Sequence, residues 1–155
     1  MNPQIDTELR ASFASQGLLQ TIGAVLSETA PGRCVIALPF SEAVTQHNGF
    51  FHGGVVGMLA DTAGGYAALT LLPPGSDILT LEYKINFLRP AAGPRIVAEA
   101  NVLRAGRSVV VTRVDIYVDS DGGRVLCAAL QQSIMRAPGK IKAGINPSPV
   151  GILGI

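Results

Sequence analysis

The sequence predicts a single α+β domain in which a curved antiparallel sheet of about six strands wraps around one long central helix. The chain has 155 residues, which suits one domain. Residues 53–72 form a 20-residue apolar run with one charge, and the second half alternates apolar and polar residues. A helix that is apolar on every side has to be surrounded on most sides. Because alternation predicts half-buried strands, a curved sheet is the simplest cover for that helix.

The N-terminal part is predicted to contain a short helix, two strands and a polar loop. Asp6 is in position to cap the helix, and Gly17 is its stop signal. A Pro-Gly turn pair at 31–32 separates two β-like runs. Residues 40–52 are a polar loop that holds both histidines. The apolar run after it is a helix that ends before Pro73, because proline cannot continue a helix.

Short turns separate the strand-like runs of the second half, and such turns suit antiparallel hairpins rather than parallel crossovers. Val109 and Val111 lie on outward positions, so the outer face of the sheet is partly apolar and self-association is expected. Residues 1–136 are predicted to form one domain, and residues 137–155 a Gly/Pro-rich tail. The strand-like runs are 18–29, 33–39, 81–88, 96–102, 110–118 and 125–135.

Composition argues against several classes of protein. The chain carries 12 Lys+Arg and 11 Asp+Glu, a net charge of +1, which argues against nucleic acid as a partner. Cys34 and Cys127 form neither a metal motif nor a disulfide framework, and both are expected to be small buried hydrophobes. The two histidines make no metal-ligand set, so no metal is expected. Because the start shows no signal-peptide pattern, the chain is expected in the cytoplasm.

The apolar run at 53–72 is long enough to span a bilayer, but it is predicted to be a buried helix. Asp61 lies near its middle, where an acid costs ~2.5–3.5 kcal/mol on insertion scales. Five glycines and four alanines make the run only mildly apolar, and no Lys or Arg flanks it closely. No membrane span is therefore expected.

The start and the middle of this helix carry candidate chemistry. Gly53 and Gly54 bring no side chain that could cap the first N–H groups, so these groups and the helix dipole suit a developing negative charge. Asp61 is an acid inside the least polar segment, and a buried acid is a candidate functional group. Two structural alternatives stay open. The glycines serve only close packing, or Asp61 makes a structural hydrogen bond to Thr62 or a loop amide.

The spacing of these two elements predicts a site shared by two copies of the chain. Gly53 and Asp61 are eight residues apart, which is ~12 Å along a helix. An oxyanion donor and an attacking group each have to lie about 3 Å from one reacting carbonyl, so one helix cannot supply both. Two antiparallel copies can, each giving Gly53 to the other's Asp61, and a homodimer is expected.

Three segments carry a family resemblance, namely His52-Gly53-Gly54, Leu59-Ala60-Asp61 and the strand Lys84-Ile-Asn-Phe-Leu-Arg-Pro90. Together they resemble the hotdog-fold acyl-CoA thioesterases of the phenylacetate-pathway and 4-hydroxybenzoyl-CoA type, over roughly residues 20–135. The resemblance implies the hotdog fold and an acyl-CoA substrate. It implies no separate cofactor, because coenzyme A is part of the substrate. It also implies a homodimer, with a dimer of dimers as the expected further assembly, although the sequence leaves dimer versus tetramer open because family members pack dimers in more than one way.

The resemblance implies roles for individual residues. Asp61 is the nucleophile or the general base, and the Gly53 N–H, with Gly54, polarises the thioester carbonyl. Gln46 orients the carbonyl or a water, a role for which Asn48 competes. Two routes stay open. Asp61 activates a water, or it attacks to give a mixed anhydride that water then cleaves.

The resemblance gives Thr80 the role of holding water. By strict alternation its side chain lies on the opposite face of its strand from Leu81 and Tyr83. The role therefore requires a bulge at the start of the strand, which would re-aim the side chain.

The remaining candidates surround the expected substrate. His52 is expected to fix the loop before the helix, beside the substrate. Phe50 and Phe51 are candidates for the acyl pocket, with core packing as the alternative. Arginines at the pocket mouth suit the phosphates of CoA, and the resemblance supports such a contact only loosely, around residues 104–108. The candidate arginines are Arg89, Arg104 and Arg107.

The function expected from these features is hydrolysis of an aryl- or medium- to long-chain acyl-CoA to the free acid and CoA. Two alternatives remain. A non-catalytic acyl-CoA sensor would bind tightly without releasing CoA. A hydratase or dehydratase on the same fold resembles proteins that use a His–acid pair at another spacing, so the spacing from His52 to Asp61 favours hydrolysis.

Overall fold

The computed structural model describes residues 1–137 of the chain. In this part, the helices are α1 (Pro3–Ser15), α2 (Gly17–Ile22) and α3 (Gly53–Leu69), and a 3-10 turn covers Glu42–Val44. The strands are β1 (Val25–Ala30), β2 (Arg33–Pro39), β3 (Asp77–Phe87), β4 (Arg95–Ala105), β5 (Val109–Ser120) and β6 (Gly123–Ala137). Ala137 thus ends the last strand, and the rest of the predicted tail lies outside the described residues.

The six strands form one antiparallel sheet in the order β1-β2-β4-β5-β6-β3. The sheet packs around α3, which contacts every strand from β2 to β6. Inward positions of alternating strands are buried against the helix, as period-two patterning requires. These positions include Ile36, Ile96, Ala98, Val114, Ile116 and Ala128. The predicted α+β fold, a curved antiparallel sheet around a central helix, is confirmed.

The N-terminal segment corrects two predictions. Asn2, not Asp6, caps α1, and its side chain accepts a hydrogen bond from the Gln4 N–H at 2.9 Å. Asp6 instead pairs with Arg10 across one helical turn, at 2.9 Å. Residues 18–22, predicted as part of a strand, belong to α2. A short apolar run fits a buried helix turn as well as a strand, so periodicity alone could not separate them.

The outer face of the sheet is more charged than its two valines suggested. Val109 is exposed there as predicted. However, Arg33 and Arg124 both pair with Glu99, at 3.3 and 2.5 Å. Arginine stems and ion pairs therefore occupy much of this face, and its apolar area is limited.

Edge strand β3 presents a longer apolar strip than the outer face does. Leu81 and Phe87 are 55% and 57% exposed, and Leu79 and Tyr83 are exposed beside them. Among residues 1–137, β3 pairs only with β6, so on its other side the backbone from Leu79 to Phe87 offers N–H and C=O groups that no described strand pairs. This edge is suited to pairing with another strand.

Both cysteines are buried and free, as predicted. Burial raises the pKa of the Cys34 thiol to about 12, which keeps it protonated. Within residues 1–137, none of the helices is long and apolar enough to cross a membrane.

Candidate active site

The N-terminus of α3 leaves one backbone donor free. His52 donates its own N–H to the Val44 carbonyl at 2.9 Å, and its ring Nδ1 accepts from the Gly54 N–H at 2.9 Å. The His52 carbonyl accepts from the Val55 N–H, also at 2.9 Å. Of the four N–H groups that a helix start leaves without an intrahelical partner, three are therefore satisfied. The Gly53 N–H has no partner among residues 1–137.

This geometry corrects the expectation for Gly54. Its N–H was expected to be available beside that of Gly53, but the His52 ring takes the place of the missing side-chain cap. The bond requires Nδ1 to be the unprotonated ring nitrogen. Gly53 alone therefore presents the free end of the helix, where the dipole favours a developing negative charge.

Gly53 lines a cavity of about 410 Å³. Phe87 reaches over this glycine, and a Cβ built on Gly53 would lie 3.3 Å from the Phe87 ring. Phe51 belongs to the core, as the packing alternative predicted, and it also lines the cavity. The predicted residues that line the cavity are Gln46, Phe50, Phe51, Gly53 and Arg89.

Gln46 is held by the tight loop that precedes the helix. Its side-chain oxygen accepts from the Asn48 N–H, and its backbone N–H donates to the Phe50 carbonyl at 2.9 Å. The Nε2 donor of Gln46 has no partner in the described part of the chain and remains available to a ligand. The Asn48 side chain is exposed and contacts His47, so Gln46 is the amide that borders the cavity.

Asp61 lies two turns further along α3 and is half-buried. Its Oδ1 accepts from the Thr80 hydroxyl at 2.7 Å and from Gln132 Nε2 at 3.3 Å. The structural alternative that paired Asp61 with Thr62 is wrong, because the Thr62 hydroxyl donates to the Met58 carbonyl. The acid therefore takes its partners from the sheet.

A bulge brings Thr80 to Asp61. The pairing of β3 with β6 shifts by one residue between Thr80 and Glu82, which leaves Leu81 unpaired. The Thr80 side chain consequently points to the same side as Tyr83, towards α3. The bulge that the role of Thr80 required is present.

Gln132 is a site residue that the sequence analysis missed. It lies on β6 between the buried Leu130 and Ile134 and is only 1% exposed. Its Nε2 donates to the backbone carbonyl of Asp61 at 3.2 Å as well as to the carboxylate. The available signal was a glutamine at an inward position of an otherwise apolar strand face.

Within one chain, the two halves of the predicted site stay apart. The residues that line the cavity at Gly53 do not include Asp61. Arg104 is exposed on β4. Arg107 lines a separate cavity of about 510 Å³ with Arg136. No group of three or more His, Cys, Asp or Glu residues within residues 1–137 could hold a metal ion.

Comparisons with known proteins identify the family. The thioesterase superfamily model matches residues 48–125. The chain belongs to the thioesterase superfamily. The matched segment includes the Gly53 and Asp61 ends of the site, and membership confirms the predicted hotdog family and its enzyme class, thioester hydrolase.

Three matches describe the range of relatives of this superfamily member. A thioesterase family protein from Silicibacter pomeroyi has a crystal structure with TM-score 0.85 and 36% identity, over 87% of this chain and 99% of that one. A 1,4-dihydroxy-2-naphthoyl-CoA hydrolase from Listeria monocytogenes is 30% identical over 72% of this chain and 89% of its own. The E. coli PaaI protein from the phenylacetic acid degradation operon has TM-score 0.78 at 21% identity, over 90% of this chain and 97% of that one, and shares the fold.

Proposed function

We propose that this thioesterase superfamily member hydrolyses acyl-CoA thioesters in a site shared by two copies of the chain. The observation that carries the proposal is that the Gly53 N–H has no partner among residues 1–137, while the cavity that Gly53 lines does not include Asp61. The carboxylate lies on the same helix, ~12 Å away at the usual rise per residue. Only a second copy can bring an Asp61 to the cavity.

The open edge of β3 supports this assembly. Two β3 strands paired antiparallel would continue the sheet and satisfy the unpaired backbone groups of both edges. Phe87 covers Gly53, and the Tyr83 hydroxyl lies 3.6 Å from a Cβ built on Gly57, so these two exposed β3 side chains face α3. The same pairing would place two α3 helices side by side and antiparallel. Such dimers could pair further into the expected dimer of dimers.

The proposed chemistry divides between the two copies. The thioester carbonyl oxygen accepts from the Gly53 N–H of one copy, and Gln46 Nε2 orients the substrate. Asp61 of the other copy attacks the carbonyl carbon, expels the CoA thiolate and forms a mixed anhydride that water cleaves. Alternatively, Asp61 takes a proton from a water that attacks directly. The Thr80 hydroxyl donates to Asp61, so its oxygen is left to accept from that water.

The substrate class follows from the cavity and the chemistry. Phe50, Phe51 and Phe87 give the cavity apolar walls that suit an aryl or a medium- to long-chain acyl group. Arg89 lines the same cavity and is a candidate contact for the CoA phosphates, with Arg104 and Arg107 as further candidates. We expect this activity in the cytoplasm.

A thiol-release assay tests the activity. Wild-type protein is incubated with a panel of aryl- and fatty-acyl-CoAs, beside Asp61→Asn and Asp61→Ala. We expect free CoA from the wild type and a large loss in both variants. Tight binding with no thiol release would instead establish the sensor alternative, and unchanged activity in both variants would remove Asp61 from the mechanism.

A single turnover in heavy-oxygen water distinguishes the two routes, since only the anhydride route labels the Asp61 carboxylate.

Complementation tests whether the site is shared. Asp61→Asn and Gly53→Pro are co-expressed with different tags, and the doubly tagged heterodimer is purified. If each site takes Gly53 from one subunit and Asp61 from the other, one of the two sites in the heterodimer keeps both groups. We therefore expect about half of the wild-type rate per dimer. A site within one subunit would leave the heterodimer as inactive as its parents.

A further inference from the structure

We propose that Gln132 is the positioning residue that fixes the Asp61 carboxylate and so selects Oδ2 as the reacting oxygen. This inference rests on the proposed function, in which Asp61 attacks the thioester or activates water. Gln132 lies on β6 and Asp61 on α3, so the pair joins the sheet to the central helix.

Two donors converge on one carboxylate oxygen. The Thr80 hydroxyl and Gln132 Nε2 both donate to Oδ1, from neighbouring strands β3 and β6. No donor within residues 1–137 binds Oδ2. An oxygen that already accepts two hydrogen bonds is a weaker base and nucleophile than one that accepts none. Oδ2 is therefore the atom available for reaction.

Gln132 also ties the carboxylate to its own backbone. The same Nε2 donates to the Asp61 carbonyl at 3.2 Å and to Oδ1 at 3.3 Å. One amide thus links the two ends of the Asp61 residue and restricts rotation of its side chain. Thr80 does not provide this link, because its hydroxyl reaches only the carboxylate. A reacting group held in one orientation is what proximity catalysis requires.

The Gln132 amide occupies a core position at which it leaves a buried oxygen without a hydrogen bond and needs a glycine beside it. Gln132 is 1% exposed, and its Oε1 has no hydrogen-bond partner in the described structure. Gly64 makes the room, since a Cβ there would lie 2.5 Å from Gln132 Oε1. An apolar side chain at 132 would avoid an unsatisfied buried oxygen. Such local violations are typical of functional sites rather than of core packing.

Gln132→Met is the direct test, because methionine has a similar length and no donor. We expect kcat for acyl-CoA hydrolysis to fall by at least about ten-fold with KM changed less than two-fold, since Gln132 contacts Asp61 and not the cavity. In the Asp61→Ala background, the same substitution should leave the residual rate unchanged within two-fold, because no carboxylate remains to be positioned. A general structural role would lower the rate in both backgrounds.

Thr112→Val is the matched control. Thr112 pairs with Gln132 across β5 and β6, is equally buried, and its hydroxyl also has no partner among the described residues. We expect wild-type kcat from this variant. If Thr112→Val loses as much kcat as Gln132→Met, the effect comes from the buried polar pair and the proposal for Gln132 is wrong.

The outcomes separate this inference from the proposed function. Wild type that releases no thiol from any acyl-CoA overturns both. Active wild type with an equally active Gln132→Met overturns the positioning role alone. If Gln132→Met does not fold, Gly64→Ala provides the test, because its methyl group would lie 2.5 Å from Gln132 Oε1 and displace the amide without removing it. The same methyl group would lie 2.7 Å from the Thr112 hydroxyl, and Thr112→Val controls for that contact. We expect the same kcat loss from Gly64→Ala and none in Gly65→Ala, whose Cβ would meet only Ile78; full kcat in folded Gly64→Ala overturns the inference.

Discussion

The two ends of the functional stretch of α3 are built in different ways. At the N-terminal end, a residue adjacent in sequence caps the first N–H groups of the helix. The His52 ring accepts from the Gly54 N–H and the His52 carbonyl accepts from the Val55 N–H, and the Gly53 N–H is the proposed oxyanion donor. At the second end, Asp61 depends on Thr80 and Gln132, which are far away in sequence and come from two strands. Residues close in sequence thus arrange the N–H groups around Gly53, whereas tertiary contacts from Thr80 and Gln132 hold the Asp61 carboxylate.

This difference has consequences for how each end fails. The Gly53 donor belongs to the backbone, so most side-chain changes nearby leave it in place. The Asp61 carboxylate is a side chain held by groups from β3 and β6, so we expect substitutions on either strand to weaken its proposed role. The four predictions below test the two ends separately.

Replacing Asp61 itself should have the largest effect. Asp61→Asn keeps the shape and an oxygen that can still accept from Thr80 and Gln132, so the fold should persist. We expect kcat/KM to fall ~10³-fold, within the range for loss of a general base. Thiol release measures this, with thermal unfolding as the check on the fold. A loss below about ten-fold would exclude Asp61 as base or nucleophile.

Removing the free donor at the other end should be the next largest effect. Gly53→Pro deletes the N–H and adds a Cβ, and the helix should tolerate it, because proline is favoured at the first helical position and His52 already has the extended backbone that precedes proline. We expect kcat to fall ~10²-fold, as for loss of one oxyanion donor. Gly53→Ala is the control, since it adds the same Cβ against Phe87 but keeps the N–H. Equal losses in the two variants would point to crowding.

Thr80 should contribute less than Asp61, because it acts beside the acid. Thr80→Val removes the hydroxyl but keeps the shape of the side chain at the bulge. Loss of a hydrogen bond to a charged group corresponds to a kcat about ten-fold lower. Thr80→Ser keeps the hydroxyl and should retain most of kcat in the same assay. Full activity in Thr80→Val would mean that Gln132 alone orients the carboxylate.

His52 should affect stability more than chemistry. His52→Ala leaves the Gly54 N–H without its cap, which should cost ~1 kcal/mol of unfolding free energy. His52→Asn supplies another favoured capping side chain and should recover most of that loss. Denaturant unfolding of the two variants gives the comparison. A catalytic role for the ring would instead appear as a kcat loss in His52→Asn despite restored stability.

Much of this protein's fold could be predicted from local sequence patterns. Alternation in the second half predicted the strands, and the 20-residue apolar run at 53–72, which ends before Pro73, predicted the central helix. The same local signals failed where two structures fit one pattern. The run 18–29 contains a helix turn before its strand, and Asn2 caps the helix that Asp6 was expected to cap. Both errors concern choices that packing makes among locally acceptable options.

The sequence by itself determined the helix, its glycines and its single acid, because each depends on spacing along one element. Together with the family resemblance, it also predicted that the role implied for Thr80 needs a bulge, but not that β3 has one, since a bulge depends on the pairing of β3 with β6. Gln132 belongs to the same class. Its proposed role depends on the space beside Gly64 and on the hydrogen bond to the Asp61 carboxylate. Both contacts form only when the sheet packs against the helix.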